Sequence, residues 1–575
     1  MGGALILDGH SRAAIEATQA LGRAGIEVLV SAEDPDAIAL RSRYARETLV
    51  QPGVIPQDRI TLWLEDLDAK KQLDLIIPCT ENSLQAFLQI SENHRLRRIA
   101  VLPSNRSLQI TLDKNLTREH AHGLGVPIPQ TLLMHTLAEA VAPTRFPVVL
   151  KPVRSKLAEG AQLKTFEPAI VQDEASWKSV LLDWLPRMTV LQQEYVPGWG
   201  VGIEMLYREG QLAWFFAHER IHEWPLTGGA STYRRAIEPP QEMMEASRRL
   251  LDSLEWHGVA MVEFKRSQDG TFALMEVNPR LWGSLALSID AGVNFPLGLW
   301  QIAKGQALGP QPQFRRGFRT RHLSSDFQWL KANLVADRGN PLLLTRPRLR
   351  SLVELALPIF GKERWDHFHW RDPGPAIHEI AQLLGAATRS ARHRWNVRSF
   401  FRQRRALLNR AIERLILARG SKKPVLLFVC QANICRSPFA ETVAFHRLPD
   451  FEIESAGFDH RAGRRTPPNV AEEAARMGFD MSARASTPLT EAHVSRADLI
   501  LVMEFTQYEQ LTKEFPDSRD RVVPLGLFAA EPAMDIADPN HKDAATTKRI
   551  MLQVVSAIGG LASAIDSAGE SAVKK

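Results

Sequence analysis

Cysteine is scarce in this sequence, with three residues among 575, at positions 79, 430 and 435. Three thiols cannot form a disulfide framework for a chain of this length, so we expect a protein of a reducing, cytoplasmic compartment. Long apolar runs are also missing, since no stretch approaches the roughly 18 residues that a membrane-spanning helix needs. The first residues, Met1 to Asp8, lack a basic segment before their short apolar stretch, which argues against a secretory signal.

The rest of the composition is that of a folded protein. Hydrophobic residues make up 45% and charged residues 24% of the chain, values that exclude the collagen-like and disordered classes. Neither an internal repeat nor a low-complexity tract is present. At roughly 150 residues per domain, the length predicts about four structural units.

The net charge of +6 comes from one segment. Residues 389–423 contain twelve lysines or arginines and a single acid, so the rest of the chain is net negative. The overall basicity is therefore weak evidence for nucleic-acid binding, and we expect no nucleic-acid partner. Apolar residues recur at helical spacing through this segment, which favours a solvated linker helix. Weak contact with acidic surfaces, as in a peripheral membrane scaffold, is the alternative.

The opening segment alternates strands with helices. The runs 4–7 and 28–30 are typical of strands, and an amphipathic helix ending near Gly25 lies between them. Further strands are expected at 73–78 and 99–102. This alternation predicts a small parallel α/β unit. The turn Gly9–Ser11 lacks a full glycine fingerprint, so a plain strand-to-helix turn is favoured over a phosphate-binding loop.

Another strand-to-helix junction carries a cysteine and an arginine. The apolar run 425–429 is typical of a buried parallel strand, and it ends at Cys430. Ser437 suits a helix N-cap and Pro438 the first helical position, so a loop ending at Arg436 is expected before the helix. Backbone N–H groups of such a loop converge on an anion and stabilise a thiolate, and the arginine can hold two phosphate oxygens. A buried structural cysteine near an unrelated arginine is the alternative.

This loop, Val429-Cys-Gln-Ala-Asn-Ile-Cys-Arg-Ser-Pro438, resembles the phosphate loop of low-molecular-weight protein tyrosine phosphatases. The likeness extends over about residues 424–568, through 455–457, 497–504 and 537–539. It implies a phosphocysteine mechanism that needs no metal and acts on a phosphomonoester or a phosphoprotein. The residues carried over are Cys430 as nucleophile, Arg436 as the group that holds the transition state, Ser437 as hydroxyl donor to the thiolate, Asn433 as a loop-shaping residue and Asp538 as general acid.

A hairpin in the N-terminal half is predicted to bring two carboxylates and an amide together. The turn Ser267–Gly270 separates two apolar strands. Glu276 and Asn278 lie two residues apart and share one face, which Glu263 on the partner strand can also share. Such oxygen ligands suit Mg²⁺, and Arg280 stands just beyond them. A solvated hairpin face with ordinary polar residues is the alternative.

A lysine upstream of the hairpin, Lys151, follows a buried strand, where a lone cation needs an anionic partner such as a phosphate. In chain order, Lys114, Lys151, Gln193-Glu-Tyr-Val-Pro-Gly198, Glu263 and Glu276-Val-Asn-Pro-Arg280 resemble the ATP-grasp enzymes related to carbamoyl-phosphate synthetase, over about residues 1–305. The resemblance implies ATP and Mg²⁺ as cofactors, with a small-molecule carboxylate and an amine as substrates. The implied sites are ATP phosphates at Lys114 and Lys151, adenine at Glu194 and the Val196 backbone, magnesium at Glu263, Glu276 and Asn278, an acyl phosphate near Arg280, and the acceptor beside 228–231.

Together these observations predict an α/β protein in four segments. They are a pre-ATP-grasp domain at 1–112, an ATP-grasp domain at 113–305, a connector with a basic helical segment at 306–423, and a phosphatase domain with a central parallel sheet at 424–570. The predicted function is bifunctional: an ATP-dependent carboxylate–amine ligase that works through an acyl phosphate, joined to a phosphomonoesterase. The alternative is a regulatory protein tyrosine phosphatase whose ATP-grasp domain senses nucleotide.

Overall fold

The structure is a computed structural model that describes residues 2–53, 57–154, 156–159, 162–354, 363–418, 423–540 and 542–573. The chain forms two compact units. The first comprises Met1–Leu133, Lys151–Ile170 and Leu191–Ala386, and the second comprises Met134–Leu150, Val171–Val190 and Ala387–Lys575. The linker predicted at 420–424 lies mostly outside the described residues.

Strands and helices alternate along most of the chain. The strands are β1 (Ala4–Ile6), β2 (Val28–Ala32), β3 (Ala45–Val50), β4 (Leu75–Ile77), β5 (Thr131–Met134), β6 (Val148–Pro152), β7 (Lys156–Glu159), β8 (Gln162–Thr165), β9 (Ala169–Val171), β10 (Val190–Glu194), β11 (Trp199–Arg208), β12 (Gln211–Trp224), β13 (Ala230–Ala236), β14 (Gly258–Arg266), β15 (Phe272–Asn278), β16 (Arg319–Arg321), β17 (Glu363–Trp365), β18 (Val425–Cys430), β19 (Glu452–Gly457), β20 (Leu499–Val502) and β21 (Val522–Pro524).

The α-helices are α1 (Arg12–Arg23), α2 (Gln57–Lys71), α3 (Glu81–Phe87), α4 (Arg95–Ala100), α5 (Asn105–Leu112), α6 (Lys114–Gly123), α7 (Glu174–Trp184), α8 (Gln241–Asp252), α9 (Leu285–Ala291), α10 (Phe295–Ala303), α11 (Leu323–Val335), α12 (Arg348–Glu354), α13 (Gly374–Arg402), α14 (Arg404–Ala418), α15 (Arg436–Arg447), α16 (Pro468–Arg476), α17 (Glu491–Arg496), α18 (Phe505–Glu514) and α19 (Ala544–Val573).

The opening sheet is parallel, with strand order β3-β2-β1-β4. Its side chains alternate between two apolar layers, since Leu5 packs in one buried cluster while Ala4 and Ile6 pack in another. Ile15 of α1 lies in the second cluster and Ile60 of α2 in the first, so helices cover both faces. The predicted parallel α/β unit is confirmed.

One element of this region differs from the prediction. The sequence pattern predicts a strand at 99–102, and this prediction is wrong, because the run begins inside α4, which ends at Ala100 with Val101 as its C-cap. The His94 ring caps the helix by accepting a hydrogen bond from the Leu96 N–H at 3.2 Å. Val101 ends it in the left-handed conformation, with φ of 50°. A short apolar run suits either a buried strand or one face of a short helix, and the local cap selects the helix.

A seven-stranded sheet with order β15-β14-β11-β12-β13-β16-β17 forms the largest part of the first unit. It is antiparallel except for the parallel pair β16–β17. The predicted hairpin is confirmed as β14 and β15, and its register places Glu263 directly opposite Glu276. Strands β16 and β17 lie beyond residue 305, so the chain of the predicted connector extends this sheet.

Two smaller sheets lie in the sequence between the opening sheet and the large one. One has the order β5-β10-β6-β9, and the other is the antiparallel hairpin of β7 and β8. Strand β6 carries Lys151 near its end, as the sequence predicts.

The C-terminal sheet is parallel throughout, with order β19-β18-β20-β21. Every residue of β18 is buried. Phe428 packs in the cluster on one face with α15, and Val429 packs in the cluster on the other face, so the strand is covered on both sides. The predicted buried strand and the helix that follows a short loop are confirmed. The predicted N-cap at Ser437 is wrong, because α15 begins at Arg436 with Cys435 as its N-cap, and the Ser437 hydroxyl donates to the Cys430 sulfur instead of capping the helix.

One helix among the described residues, at 544–569 within α19, is long and apolar enough to cross a membrane. Its Ile550, Val554, Ile558 and Leu561 are buried in the same cluster as Phe428. The core helix of a folded domain meets the same criteria of length and composition, so this helix is weak evidence for a membrane span.

Candidate active sites

The loop between β18 and α15 surrounds the Cys430 thiol with donors. The cysteine is 3% exposed. Its sulfur accepts hydrogen bonds from the Asn433 backbone N–H at 3.2 Å and from the Ser437 hydroxyl at 3.0 Å. The loop therefore directs hydrogen-bond donors at the sulfur immediately before the N-terminus of α15.

Two backbone features give this loop its shape. Asn433 has a φ of 52°, a conformation that asparagine tolerates better than most residues. Its side-chain amide donates to the hydroxyls of Ser437 at 2.9 Å and Ser455 at 2.8 Å. A Cβ on Gly457 would lie 2.7 Å from the Asn433 nitrogen, so β19 can approach the loop this closely only with glycine there.

Arg436 is buried at the end of the same loop and faces two carboxylates. Its guanidinium donates to the Ile536 carbonyl at 2.8 Å, lies 3.3 Å from an Asp538 carboxylate oxygen and forms an ion pair with Glu504. Burial by itself would lower the pKa of Arg436, but Asp538, Cys430 and Glu504 outweigh it and raise that pKa. The Asp538 side chain is 50% exposed, so the acid reaches solvent while the arginine does not.

The rim of the loop is polar and basic. Asp459 accepts hydrogen bonds from Arg461 at 2.7 Å and Arg464 at 2.9 Å. The bond from Arg461 is the largest cause that holds the pKa of Asp459 well below its usual range. Arg464 also donates to the Ala432 carbonyl at 3.2 Å, so it ties the rim to the loop.

In the first unit, β14 and β15 present Glu263, Glu276 and Asn278 on one face. The Asn278 amide nitrogen lies 3.2 Å from a carboxylate oxygen of each glutamate. Arg220 on β12 forms an ion pair with Glu263. Burial raises the pKa of Glu263. Burial acts on Glu276 in the same direction, but Lys114 and Asn278 outweigh it and lower that pKa.

Lys114 and Lys151 line a narrow cleft together with Gln193 and Glu276. Burial lowers the pKa of Lys151 to about 8; Glu276 opposes this effect and Lys114 adds to it. A pair of ammonium groups beside one carboxylate is suited to polyphosphate, whose charge would compensate the cations.

Glu194 and Val196, predicted at the adenine, follow Gln193 but do not line this cleft. The Glu194 side chain is exposed and accepts a hydrogen bond from the Gln130 backbone N–H at 2.9 Å. Among the described residues, the structure thus brings Gln193 beside the lysines and leaves Glu194 outside.

Arg280 lies at a separate cavity of about 260 Å³, whose lining includes Glu263, Glu276 and Asn278. Gly229, Ala230 and Ser231, which the sequence predicts on the acceptor side, line the same cavity. The Arg280 guanidinium donates to the Leu281 carbonyl at 3.0 Å. The predicted acyl-phosphate arginine and the predicted metal ligands therefore share one cavity.

Residues 425–571 match the family model described as low molecular weight phosphotyrosine protein phosphatase. The probable low molecular weight protein-tyrosine-phosphatase EpsP of Ralstonia nicotianae is 38% identical over 117 residues, which cover 20% of this chain and 79% of that protein. The chain belongs to the low-molecular-weight protein tyrosine phosphatase family. The solved YwlE arginine phosphatase from Geobacillus stearothermophilus is also similar, with 26% identity over 26% of this chain and 96% of that chain and a TM-score of 0.25.

Upstream of the phosphatase, residues 187–325 match the family model described as ATP-grasp in the biosynthetic pathway with Ter operon. The solved L-amino acid ligase from Bacillus licheniformis is similar over 53% of this chain and 74% of that chain, with 17% identity and a TM-score of 0.43. The predicted fusion of an ATP-grasp domain with a low-molecular-weight phosphatase is confirmed.

The residues on the ATP-grasp side fit the cofactors of that family, which uses ATP and typically Mg²⁺. Glu263 and Glu276 supply hard oxygen donors side by side, as Mg²⁺ prefers. Lys114 and Lys151 supply cations next to them.

The structure gives roles to three residues to which the sequence patterns assign none, although two of them lie within the family-like segments. Arg220 pairs with the predicted metal ligand Glu263, Gln193 lines the lysine cleft, and Glu504 pairs with Arg436. Arg220 lies in the polar half of β12 and gives no signal by itself. A usable signal exists for Glu504, which lies two residues after the apolar strand β20. A charged side chain at such a position needs a partner.

Proposed function

We propose that this protein is a bifunctional enzyme, an ATP-dependent carboxylate–amine ligase joined to a phosphomonoesterase. The observation that carries the proposal is that two separate groups of side chains exist, each with the chemistry of one reaction. Cys430, Arg436 and Asp538 meet in one, and Lys151 and Glu276 meet in the other.

In the phosphatase reaction, the Cys430 sulfur attacks phosphorus and the ester P–O bond breaks. Asp538 gives its proton to the leaving oxygen, and Arg436 exchanges its carboxylate partners for two phosphate oxygens. Water then attacks the phosphocysteine while Asp538 takes up the proton from it, and the S–P bond breaks to release inorganic phosphate. Ser437 donates its hydrogen bond to the departing sulfur, and Asn433 keeps the loop in shape.

In the ligase reaction, the terminal phosphoryl group of ATP would pass to a carboxylate, giving ADP and an acyl phosphate. The amine would then attack the acyl carbon and phosphate would leave, which gives the amide. Lys114 and Lys151 would hold the phosphates of ATP. Glu263, Glu276 and Asn278 would hold magnesium, which would neutralise phosphate charge, and Arg280 would orient the carboxylate. The segment with Glu194 and the Val196 backbone would border the adenine.

The phosphatase substrate is a phosphomonoester or a phosphoprotein of unassigned identity. EpsP is described as a protein tyrosine phosphatase and YwlE as an arginine phosphatase. A substrate screen therefore includes phosphotyrosine peptides and phosphoarginine peptides, together with sugar phosphates and alkyl phosphates. A reducing compartment such as the cytoplasm would keep the Cys430 thiolate active.

The test is ATP turnover by the full chain with pools of carboxylates and amines, the products being weighed by mass spectrometry. Ligase activity gives a condensed product together with ADP and phosphate. A chain that binds ATP and forms no adduct with any pool would instead be a phosphatase with a nucleotide-sensing domain.

A further inference from the structure

The cavity beside the hairpin receives an arginine from the opening α/β sheet. Arg12, the first residue of α1, lines it together with Arg220 and Arg280. The other two arginines have acidic partners, since Arg220 pairs with Glu263 and Arg280 lies 3.8 Å from Glu81. Arg12 forms no ion pair with any described residue, and so it is the cation of this cavity that a ligand can neutralise.

Two hydrogen bonds hold the Arg12 side chain in place, but other N–H groups of its guanidinium are not used by them. One Nη donates to the Ser231 carbonyl at 3.1 Å and the other to the Ser325 hydroxyl at 2.7 Å. A guanidinium has more N–H groups than these two bonds use. Burial is the largest effect on Arg12 and lowers its pKa, and Arg234 adds to this effect. Asp366 and Glu379 act in the opposite direction without reversing it, so the positive charge of Arg12 is compensated only in part.

A chain of polar side chains, which we call the relay, connects Ser325 to His322, Glu379 and His367 and holds Arg12 in position. The Ser325 hydroxyl accepts from Arg12 and lies 2.8 Å from His322 Nδ1. The other ring nitrogen of His322, Nε2, faces Glu379 at 3.4 Å. Glu379 in turn lies 3.3 Å from His367. This chain of polar groups fixes the direction in which Arg12 points.

The same relay includes a set of possible metal ligands, since donor atoms of His322, His367 and Glu379 lie within 4.8 Å of one another. Each of these three side chains already has a polar partner among the described residues, and the chain of contacts ends on Arg12 through Ser325. We therefore interpret the cluster as a support for Arg12.

We propose that Arg12 binds a second oxyanion, a carboxylate or a phosphate, on the acid that the ATP-grasp domain activates. The proposal rests on the proposed ligase function. The reacting carboxylate of this acid lies near Arg280, and the planar fork of Arg12 holds the second group by paired hydrogen bonds. The cavity, about 260 Å³, is at the small end of ligand pockets, so the acid is a small metabolite. An acid with a single charge leaves the half-buried Arg12 without an anionic partner, and the site therefore selects against it.

The experiment compares matched pairs of acids that differ in one anionic group. The pairs are aspartate with asparagine, glutamate with glutamine, succinate with succinamate, and phosphoserine with serine. Acid-dependent ADP release by the full chain is measured with saturating MgATP and the amine pool. Binding of the same compounds without nucleotide is measured by isothermal titration calorimetry. We expect at least one doubly anionic member to exceed its partner by about tenfold or more in kcat/KM and in affinity.

Substitutions then show whether Arg12 is the group that discriminates. Arg12→Gln should remove the preference, Arg12→Lys should keep part of it, and Ser325→Ala should weaken it less than Arg12→Gln does. Arg41→Gln is the control, because Arg41 is an exposed arginine paired with Asp36. Comparing the preference within the three carboxylate pairs with the preference within the phosphoserine pair shows whether Arg12 binds a carboxylate or a phosphate better.

Three outcomes count against the proposal, and they separate it from the ligase function. If no acid stimulates ADP release, the ligase function fails and the proposal fails with it. If singly charged acids react as well as their partners, the ligase function stands and the second oxyanion is wrong. If Arg12→Gln keeps the full preference while the Arg41 control behaves as the parent, the assignment to Arg12 is wrong.

Discussion

The two sites are assembled from the chain in opposite ways. On the phosphatase side, four of the five predicted groups come from the eight residues 430–437, and only Asp538 comes from elsewhere. On the ATP-grasp side, the predicted residues extend from Lys114 to Arg280 and are gathered by several strands. Both sites set cations against carboxylates, but the first is centred on a single buried arginine, whereas two lysines and three arginines surround the carboxylates of the second. A short loop can thus define one kind of chemistry, while the other depends on the register of a whole sheet.

The largest expected effect is the loss of phosphatase activity in Cys430→Ser. A serine hydroxyl is a much weaker nucleophile than a thiolate, so hydrolysis of p-nitrophenyl phosphate should fall by on the order of a thousandfold or more. ATP turnover by the same variant should equal that of the parent. Residual phosphatase activity close to the parent value would remove Cys430 as the nucleophile.

The reciprocal change is Glu276→Gln, which removes a hard anionic ligand from the hairpin. We expect magnesium-dependent ATP turnover to fall roughly a hundredfold, because metal ions contribute several kcal/mol of charge stabilisation in such reactions. Phosphatase activity should be unchanged and serves as the internal control for folding. Unchanged ATP turnover would show that the metal site does not include this carboxylate.

This contrast explains what could be predicted from the sequence. The phosphatase loop could be predicted because the strand and the loop are contiguous in the sequence and local preferences determine both. The predicted cap at Ser437 was wrong, since the N-cap of α15 is Cys435. The hairpin could be predicted from the sequence because its turn and the alternation of its side chains between two faces are local features as well. The place of Arg12 and Arg220 beside the hairpin could not be predicted from the sequence, since only long-range contacts bring these residues there. The wrong strand at 99–102 has a different, local origin, because its short apolar run fits a strand and a helix equally well.

A pH titration sharpens the comparison, because Lys151 has a pKa of about 8. As the pH rises through this value the lysine loses its charge and attracts phosphate less, so KM for ATP should rise by up to about tenfold. Lys151→Arg should remove this rise, since arginine stays charged. Glu276 raises the pKa of Lys151, so Glu276→Gln should move the rise to lower pH.

The control for this titration is Lys71→Arg, an exposed lysine paired with Glu47, which should leave the pH profile unchanged. A flat KM for the parent enzyme between pH 7 and about pH 9 would mean that Lys151 does not bind the phosphates of ATP.

The smallest expected effect concerns the wall of the phosphatase pocket. Asn540 follows the acid loop, its backbone N–H donates to Asp538 at 3.0 Å, and its Oδ1 has no hydrogen-bond partner among the described residues. With Asp459, Arg461 and Arg464 on the rim, the surroundings are polar, and we expect similar KM values for phosphotyrosine peptides and sugar phosphates.

An aromatic ring in the pocket wall contributes about 0.5–1.5 kcal/mol of binding free energy beyond area burial. Asn540→Tyr should therefore lower KM for the aryl substrate a few-fold and leave that for sugar phosphates unchanged. The backbone bond to Asp538 survives the substitution, and Asn540→Leu controls for added apolar area without a ring. KM must be separated from kcat here, because aryl leaving groups depart more easily in any case. A parent enzyme that already binds phosphotyrosine far more tightly than sugar phosphates would contradict the polar pocket and favour a protein phosphatase.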